Sequence, residues 1–405
     1  MKVLANEFIT DVSGFLASGI SAGLKKSGKK DLGIIYSTKP AVCAAVFTTN
    51  KSKAAPIHLC MENQKSDFIQ AIVVNSGNAN ACTGDKGLEN AHIMAEETAK
   101  AININKENVL VASTGIIGVQ LDMDTIIPGI REACSKLSKQ GGENMAQAIL
   151  TTDTCTKTIT VETNIGGKKV KISAVAKGSG MIHPNMATML SFIVTNANIS
   201  KDHLNKLFKE SVKDSYNMIS VDGDTSTNDM AVILANGTAA NPAIEEKEEY
   251  TQVFKEALDY VNKELAKMIA KDGEGATKFL EVSVINAYTK DDARVIAKSV
   301  VSSNLVKTAM FGSDANWGRI LCAVGYAQVD SDISKVDISF SNEVGTEQVV
   351  ADGMPLAFSE KNAKKILSND FIKIIINLKN GDYKATAWGC DLTYEYVRIN
   401  GEYRS

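Results

Sequence analysis

Short β-branched runs bounded by turn residues recur along the whole chain, and amphipathic stretches interrupt them at irregular intervals. This irregular mixture limits the fold more than any other feature. Residues 32–37, 42–48, 71–75 and 108–112 read as strands. The last of these is followed by Ser113-Thr114-Gly115, which reads as a turn. Residues 86–104 carry Leu88, Ala91, Met94, Thr98 and Ile102 near one stripe, the spacing of a helix. Residues 122–140 read as a second helix, capped by Asp122 or Asp124 and with Pro128 in its first turn.

Further strands are expected over 158–162, 170–176, 189–195, 231–234, 280–286, 336–340, 372–378, 383–387 and 392–399. Helices are expected over 200–215, with Ser200 as N-cap, and over 359–367. The clearest helix is 244–271, where Phe254, Ala257, Leu258, Val261, Leu265 and Ile269 repeat at helical spacing opposite Lys and Glu. Strict βαβ alternation is absent, and no repeat of roughly 20–50 residues is visible. The pattern predicts an α+β fold with layered sheets flanked by helices.

At roughly 100–200 residues per domain, the 405 residues suffice for two or three domains or one large two-lobed unit. The net charge of −3, from 44 basic and 47 acidic residues, argues against a phosphate-driven nucleic-acid binder and a polybasic membrane anchor. No apolar run approaches the roughly 18 residues of a membrane helix. The first residues turn polar at Asn6-Glu7 before a signal-peptide core can form. Seven cysteines, none in a CxxC pair, read as reduced thiols of a cytosolic protein. His58, His92, His183 and His203 do not join them at metal spacing, so no metal site is expected.

The densest unusual segment is 177–192, Lys-Gly-Ser-Gly-Met-Ile-His-Pro-Asn-Met-Ala-Thr-Met-Leu-Ser-Phe. A strand ends at Lys177, a Gly178-Ser179-Gly180 loop follows, His183-Pro184-Asn185 turns the chain, and a strand begins near Thr188. A Thr at a strand start is ordinary on its own. The whole segment, however, closely resembles the KGSGM…PNMATML signature of the ornithine acetyltransferases, the ArgJ-type glutamate N-acetyltransferases of arginine biosynthesis.

The resemblance continues in order through Asn75–Gly84 (NSGNANACTG), Ser113–Gly118 (STGIIG), Thr151–Thr154 (TTDT), Asp222–Asp229 (DGDTSTND), Lys271–Lys278 (KDGEGATK) and the Asn400–Ser405 ending. One departure is visible: Gly312-Ser313-Asp314-Ala315-Asn316-Trp317-Gly318-Arg319 stands where many members read GADPNWGR.

The resemblance implies a chain that cuts itself between Ala187 and Thr188. It would become an α-chain of residues 1–187 and a β-chain of residues 188–405. The exposed Thr188 is then the nucleophile. Acyl transfer needs a nucleophile, a base and donors for an oxyanion. A free α-amine has a pKa of about 7.7–8.0, so the amine of Thr188 can serve as base beside its own hydroxyl. His183 is the tempting alternative, but its position before Pro184 is explained by loop geometry.

By resemblance, Thr114 and Gly115 form the oxyanion hole. Thr151, Thr152, Lys177, Thr188, Glu274, Asn400 and Ser405 bind substrate, with Lys177 suited to an α-carboxylate and Glu274 to an ornithine ammonium. The implied fold is a DmpA/ArgJ-like sandwich of the N-terminal-nucleophile type, built jointly by both fragments.

The implied reaction moves the acetyl group of N-acetylornithine to glutamate through an acetyl-Thr188 intermediate. Self-association into two α- and two β-chains in the cytoplasm is expected. No cofactor is expected, although some members of the family also take acetyl-CoA as donor. The nearest alternative is an N-terminal-nucleophile aminopeptidase or amidohydrolase with water as the acceptor. A non-catalytic binding module using the Gly-rich loops would show no self-cleavage.

Overall fold

The computed structural model describes residues 1–183 and 189–402. Ala187, Thr188 and Ser405 therefore lie outside the described residues. The architecture follows from one long strand, Leu32–Phe47, which belongs to two leaves of sheet at once. Its first part, around Leu32–Tyr36, pairs with Phe15–Ile20 and Ile69–Asn78. Its second part, Val42–Phe47, pairs with Met230–Ala235. The register breaks between Tyr36 and Ala41, where Pro40 supplies no N–H to a ladder. The strands expected over 32–37 and 42–48 are thus one strand bent at its middle.

The first leaf ends with Val109–Ile116, parallel to Ile69–Asn78. The second leaf runs from the bent strand through Met230–Ala235, Leu190–Thr195, Lys168–Lys177 and Lys157–Ile165 to Lys2–Leu4. Side chains alternate across each strand, and that alternation sorts them into three cores. Phe192, Val194, Val232 and Leu234 face Ile72, Val74, Leu110 and Ala112, filling the space between the two leaves. On the outer side of the first leaf, Val73 and Val111 pack with Met94 and Ile130 of helices Gly84–Ile102 and Met123–Ser135. On the outer side of the second leaf, Ile172, Ile193 and Ile233 meet helices Lys201–Lys213 and Glu248–Lys271. The layers therefore run helix, sheet, sheet, helix.

Helix Glu248–Lys271 buries Phe254, Leu258, Val261, Leu265 and Ile269 completely. Each such side chain contributes roughly 1.5–3 kcal/mol of transfer free energy. Truncating one, as in Leu258→Ala, costs about 2–5 kcal/mol. The same core continues into a second sheet built on Phe279–Ala287, Phe371–Asn377 and Tyr383–Cys390. The two segments expected as separate chains interleave in the second leaf, where Lys168–Lys177 pairs directly with Leu190–Thr195.

Several local expectations need correction. Residues 392–399 are not a strand; Tyr394–Glu402 is a helix with no buried residue. Tyr394 and Val397 are exposed, so their β-propensity finds no sheet to satisfy it. Ser113-Thr114-Gly115 is not a turn but the end of strand Val109–Ile116. The helix expected over 122–140 stops at Ser135, and a separate helix covers Gly142–Ala148. Pro128 falls inside the first of these, beyond its first turn. Helices Lys290–Ser302, Asn304–Phe311 and Trp317–Gly325 were not foreseen. Ser200 does cap its helix, accepting from the His203 N–H at 3.4 Å.

Candidate active site

Three strand ends lie side by side in the second leaf. Lys177 pairs with Leu190, and Leu190 pairs with Met230. A cavity of about 310 Å³ opens over these ends. Its wall brings together Thr114, Gly115, Thr151, Thr152, Lys177, Glu274 and Asn400, which are widely separated in sequence. Met189, the residue after Thr188, also lines it.

One wall is built from backbone. Strand Val109–Ile116 runs parallel to Ile69–Asn78 as far as Gly115 opposite Gly77. The two chains approach so closely that a Cβ on Gly115 would stand 2.3 Å from the Gly77 carbonyl carbon. Gly115 also has φ +135°, where a side chain is strained. Position 115 therefore requires glycine. Side-chain amides hold this wall in place. Asn228 donates from Nδ2 to the Ala79 and Ser113 carbonyls at 2.5 and 2.8 Å. The Ser113 hydroxyl donates to Asn75 Oδ1 at 2.6 Å. Thr114, half-buried, is left at the cavity surface by this clamp.

The opposite wall is charged. Lys177 Nζ donates to Thr151 Oγ1 at 2.7 Å and lies 3.7 Å from Asp153 Oδ2. Asp153 accepts from Lys157 Nζ at 2.7 Å and from the Gly178 N–H at 2.6 Å. Lys157 also donates to Asp272 Oδ2 at 2.6 Å. The side chains of Asp153 and Lys157 are fully buried, and that of Asp272 nearly so. Burial opposes the charge on Asp153. Lys177, Lys157 and the Gly178 N–H outweigh it and hold the carboxyl below the usual carboxylate range. The cluster fixes Lys177 and the start of the Gly178-Ser179-Gly180 loop.

Glu274 closes a third side. Its N–H donates to the Ser179 carbonyl at 3.0 Å, and Oε2 accepts from Asn400 Nδ2 at 2.9 Å. Asn400 reaches it from helix Tyr394–Glu402. A Cβ on Gly180 would fall 2.4 Å from the Glu274 carboxyl carbon, so only glycine lets the carboxylate approach.

His183 does not line this cavity. Its Nδ1 lies 3.1 Å from Ser220 Oγ, and burial, with the nearby Lys298 charge, pushes its pKa down to about 4. Asp222 is a loop buttress, accepting from the Met181 and Ile182 N–H groups at 2.6 and 2.9 Å. Among the described residues no group of three or more His, Cys, Asp or Glu could hold a metal ion, and no helix is long and apolar enough to cross a membrane. Asp153, Lys157, Asp272, Asn228 and Asp229 were missed as individual residues. All five sit inside or beside the quoted motif runs, the one sequence signal that pointed to them.

A profile of the ArgJ family matches residues 16–405. The arginine biosynthesis bifunctional protein ArgJ 1 of Clostridium acetobutylicum is 60% identical over 405 residues, which is 100% of this chain and 99% of that protein. The arginine biosynthesis bifunctional protein ArgJ of Thermotoga neapolitana is 53% identical over 97% of this chain and 99% of its own. Among solved structures, the Bacillus halodurans arginine biosynthesis bifunctional protein ArgJ is 45% identical with a TM-score of 0.50. It covers 53% of this chain and 100% of its own.

Proposed function

This chain belongs to the ArgJ family, and from that premise we propose that it is an acetyltransferase of arginine biosynthesis, moving acetyl from N-acetylornithine to glutamate through Thr188. The observation that carries the reading is the single cavity at the end of the Lys177, Leu190 and Met230 strands, with Thr114, Gly115, Lys177 and Glu274 on its walls.

The chain first cuts itself. The Thr188 hydroxyl attacks the Ala187 carbonyl carbon, the peptide C–N bond breaks, and water hydrolyses the resulting ester. This leaves chains 1–187 and 188–405. The 53% coverage by the whole Bacillus halodurans chain supports a fragment of that size, since residues 188–405 are 218 of 405.

In the transfer reaction the Thr188 amine takes the hydroxyl proton as the oxygen attacks the acetyl carbon. The Gly115 N–H and Thr114 hydroxyl face the oxygen on which charge develops. The C–N bond to ornithine breaks, and the proton held on the Thr188 amine goes to the leaving nitrogen. Glutamate then enters in its free-amine form, attacks the acetyl-Thr188 ester and leaves as N-acetylglutamate, returning the proton to the Thr188 oxygen.

Both substrates carry an α-carboxylate, which suits Lys177. Only ornithine carries a side-chain ammonium, which suits Glu274. Thr151, Thr152, Asn400 and Ser405 supply neutral hydrogen bonds. The word bifunctional in the relatives' names supports acetyl-CoA as a second donor. The reaction needs no cofactor. We place it in the cytoplasm, a compartment suited to seven free cysteines, and in an assembly of two α- and two β-chains.

Denaturing electrophoresis with N-terminal sequencing tests the cleavage. Two bands, the smaller beginning at Met1 and the larger at Thr188, are expected. An active sample with Met1 as its sole N-terminus rejects it. Initial rates at several fixed levels of the second substrate test the transfer. Parallel reciprocal plots are expected, and intersecting plots point to direct transfer in a ternary complex.

A further inference from the structure

Asp229 immediately precedes strand Met230–Ala235, and the Met230 N–H donates to the Met189 carbonyl at 2.9 Å. Leu190 thus has Met230 on one side and Lys177 on the other. Asp229 and Lys177 flank the start of the strand that follows Thr188. Asp229 lines the cavity and is 2% exposed, yet its Oδ2 has no hydrogen-bond partner among the described residues. A buried polar atom left unmatched carries an uncompensated desolvation penalty. Burial holds the Asp229 proton well above the usual carboxylate range. The hydroxyls of Ser226 and Thr48 and the charge of Lys177 offset that only in part. Lys177 is itself engaged by Thr151 and Asp153.

We propose that Asp229 is an amine-binding residue of this cavity, its Oδ2 accepting a hydrogen bond from a primary amine or ammonium. The inference rests on the acyl-transfer reading above. That reaction brings two such groups to the start of the Leu190 strand: the α-amine of the amino-acid substrate, and the terminal amine that cleavage creates one residue before Met189. A carboxyl that holds either nitrogen in place orients it toward the carbon or proton it must reach once its own proton has been given up. An ammonium arriving at a protonated carboxyl stabilises the carboxylate, so the acid proton leaves to solvent while the ammonium keeps its own.

The test compares cleaved wild type, Thr188→Ala, which stays uncut in this reading, and Asp229→Asn in each background. Wild-type acetyl transfer is assayed first; its absence rejects the parent reading and not this inference alone. The infrared band of a buried protonated carboxylic acid is then recorded near pH 7, with and without ornithine. Proton release on ornithine binding is measured by calorimetry in buffers of different ionisation heat.

If the substrate amine is the partner, Thr188→Ala shows the band, loses it with ornithine and releases up to about one proton. Asp229→Asn abolishes both signals and weakens binding roughly tenfold. If the terminal amine is the partner, uncut Thr188→Ala shows the band and cleaved wild type lacks it without any ligand. Asp229→Asn then lowers kcat more than it changes KM and shifts the limb of the pH–rate profile that reports the amine. A band that persists in all three states, uncut, cleaved and ornithine-bound, overturns the proposal. That reading needs no Asp229 variant to fold. Equal affinity, proton release and pH profile in Asp229→Asn overturn it too.

Discussion

On one side of the cavity Lys157 lies between Asp153 and Asp272 at 2.7 and 2.6 Å, and Lys177 completes the cluster. On the other side Asn228 ties the Ala79 and Ser113 carbonyls together, and Gly115 stands against Gly77 where no side chain fits. The first wall is charged and its buried charges are matched. The second is neutral, and it brings Thr114 and Gly115 to the cavity surface. Matched buried charge gives a fixed position and a strong penalty for removing one partner. Preorganised neutral donors give little ground-state binding but meet charge that appears only in the transition state. Under the proposed reaction, this difference gives position and affinity to the first wall and rate to the second.

Thr188→Ala removes what both walls serve, so it gives the largest effect: an uncut chain and no measurable acetyl transfer, read by gel and by product assay. On the charged wall, Lys157→Ala leaves Asp153 and Asp272 without their shared cation. It is expected to destabilise the protein by about 3–5 kcal/mol in chemical unfolding. A loss under about 1 kcal/mol would mean that the cluster contributes no more than a surface pair.

On the neutral wall, Thr114→Ala should raise the barrier by about 2.7–4 kcal/mol, seen in kcat with KM nearly unchanged. A variant with normal kcat and a raised KM would move Thr114 from the rate side of the comparison to the binding side. Lys177→Ala should impair both half-reactions, since both substrates bring an α-carboxylate.

The way these two walls arise explains what could be read beforehand. The layered α+β plan was legible because alternation and helical spacing are local signals, as in Glu248–Lys271 and Leu190–Thr195. The cavity residues were legible through ordered motif runs. Their grouping depends on strand register, which no single segment carries. Thr114 and Gly115 resembled a turn because Gly-containing ends look alike in sequence. Only the parallel neighbour Ser76–Gly77 makes them strand. Tyr394–Glu402 misled in the opposite sense, with β-prone residues lying exposed on a helix that delivers Asn400 to Glu274. The ion cluster was illegible because Lys157 and Asp272 lie more than a hundred residues apart.

Smaller effects sharpen the contrast. Glu274→Gln keeps the Asn400 hydrogen bond but loses the charge. It should slow the ornithine half-reaction by roughly tenfold and the glutamate half-reaction by less. His183 lies off both walls, so His183→Gln should leave the pH–rate profile unchanged. Its effect is on stability instead. The folded pKa of about 4 is below the ordinary value of 6.5, so the unfolded chain takes the proton first. Stability contributed by this site is therefore lost as pH falls from about 6.5 through about 4, and His183→Gln should flatten that slope in unfolding titrations.

The proposed route runs through a covalent acetyl group on a threonine freed by cleavage. Mass spectrometry of the denatured enzyme after incubation with N-acetylornithine, without glutamate, tests it most directly. A fragment beginning at Thr188 that carries one acetyl group at that residue, and loses it when glutamate is added, is expected. An active enzyme that remains a single chain, or whose 188–405 fragment never carries the group, would contradict it.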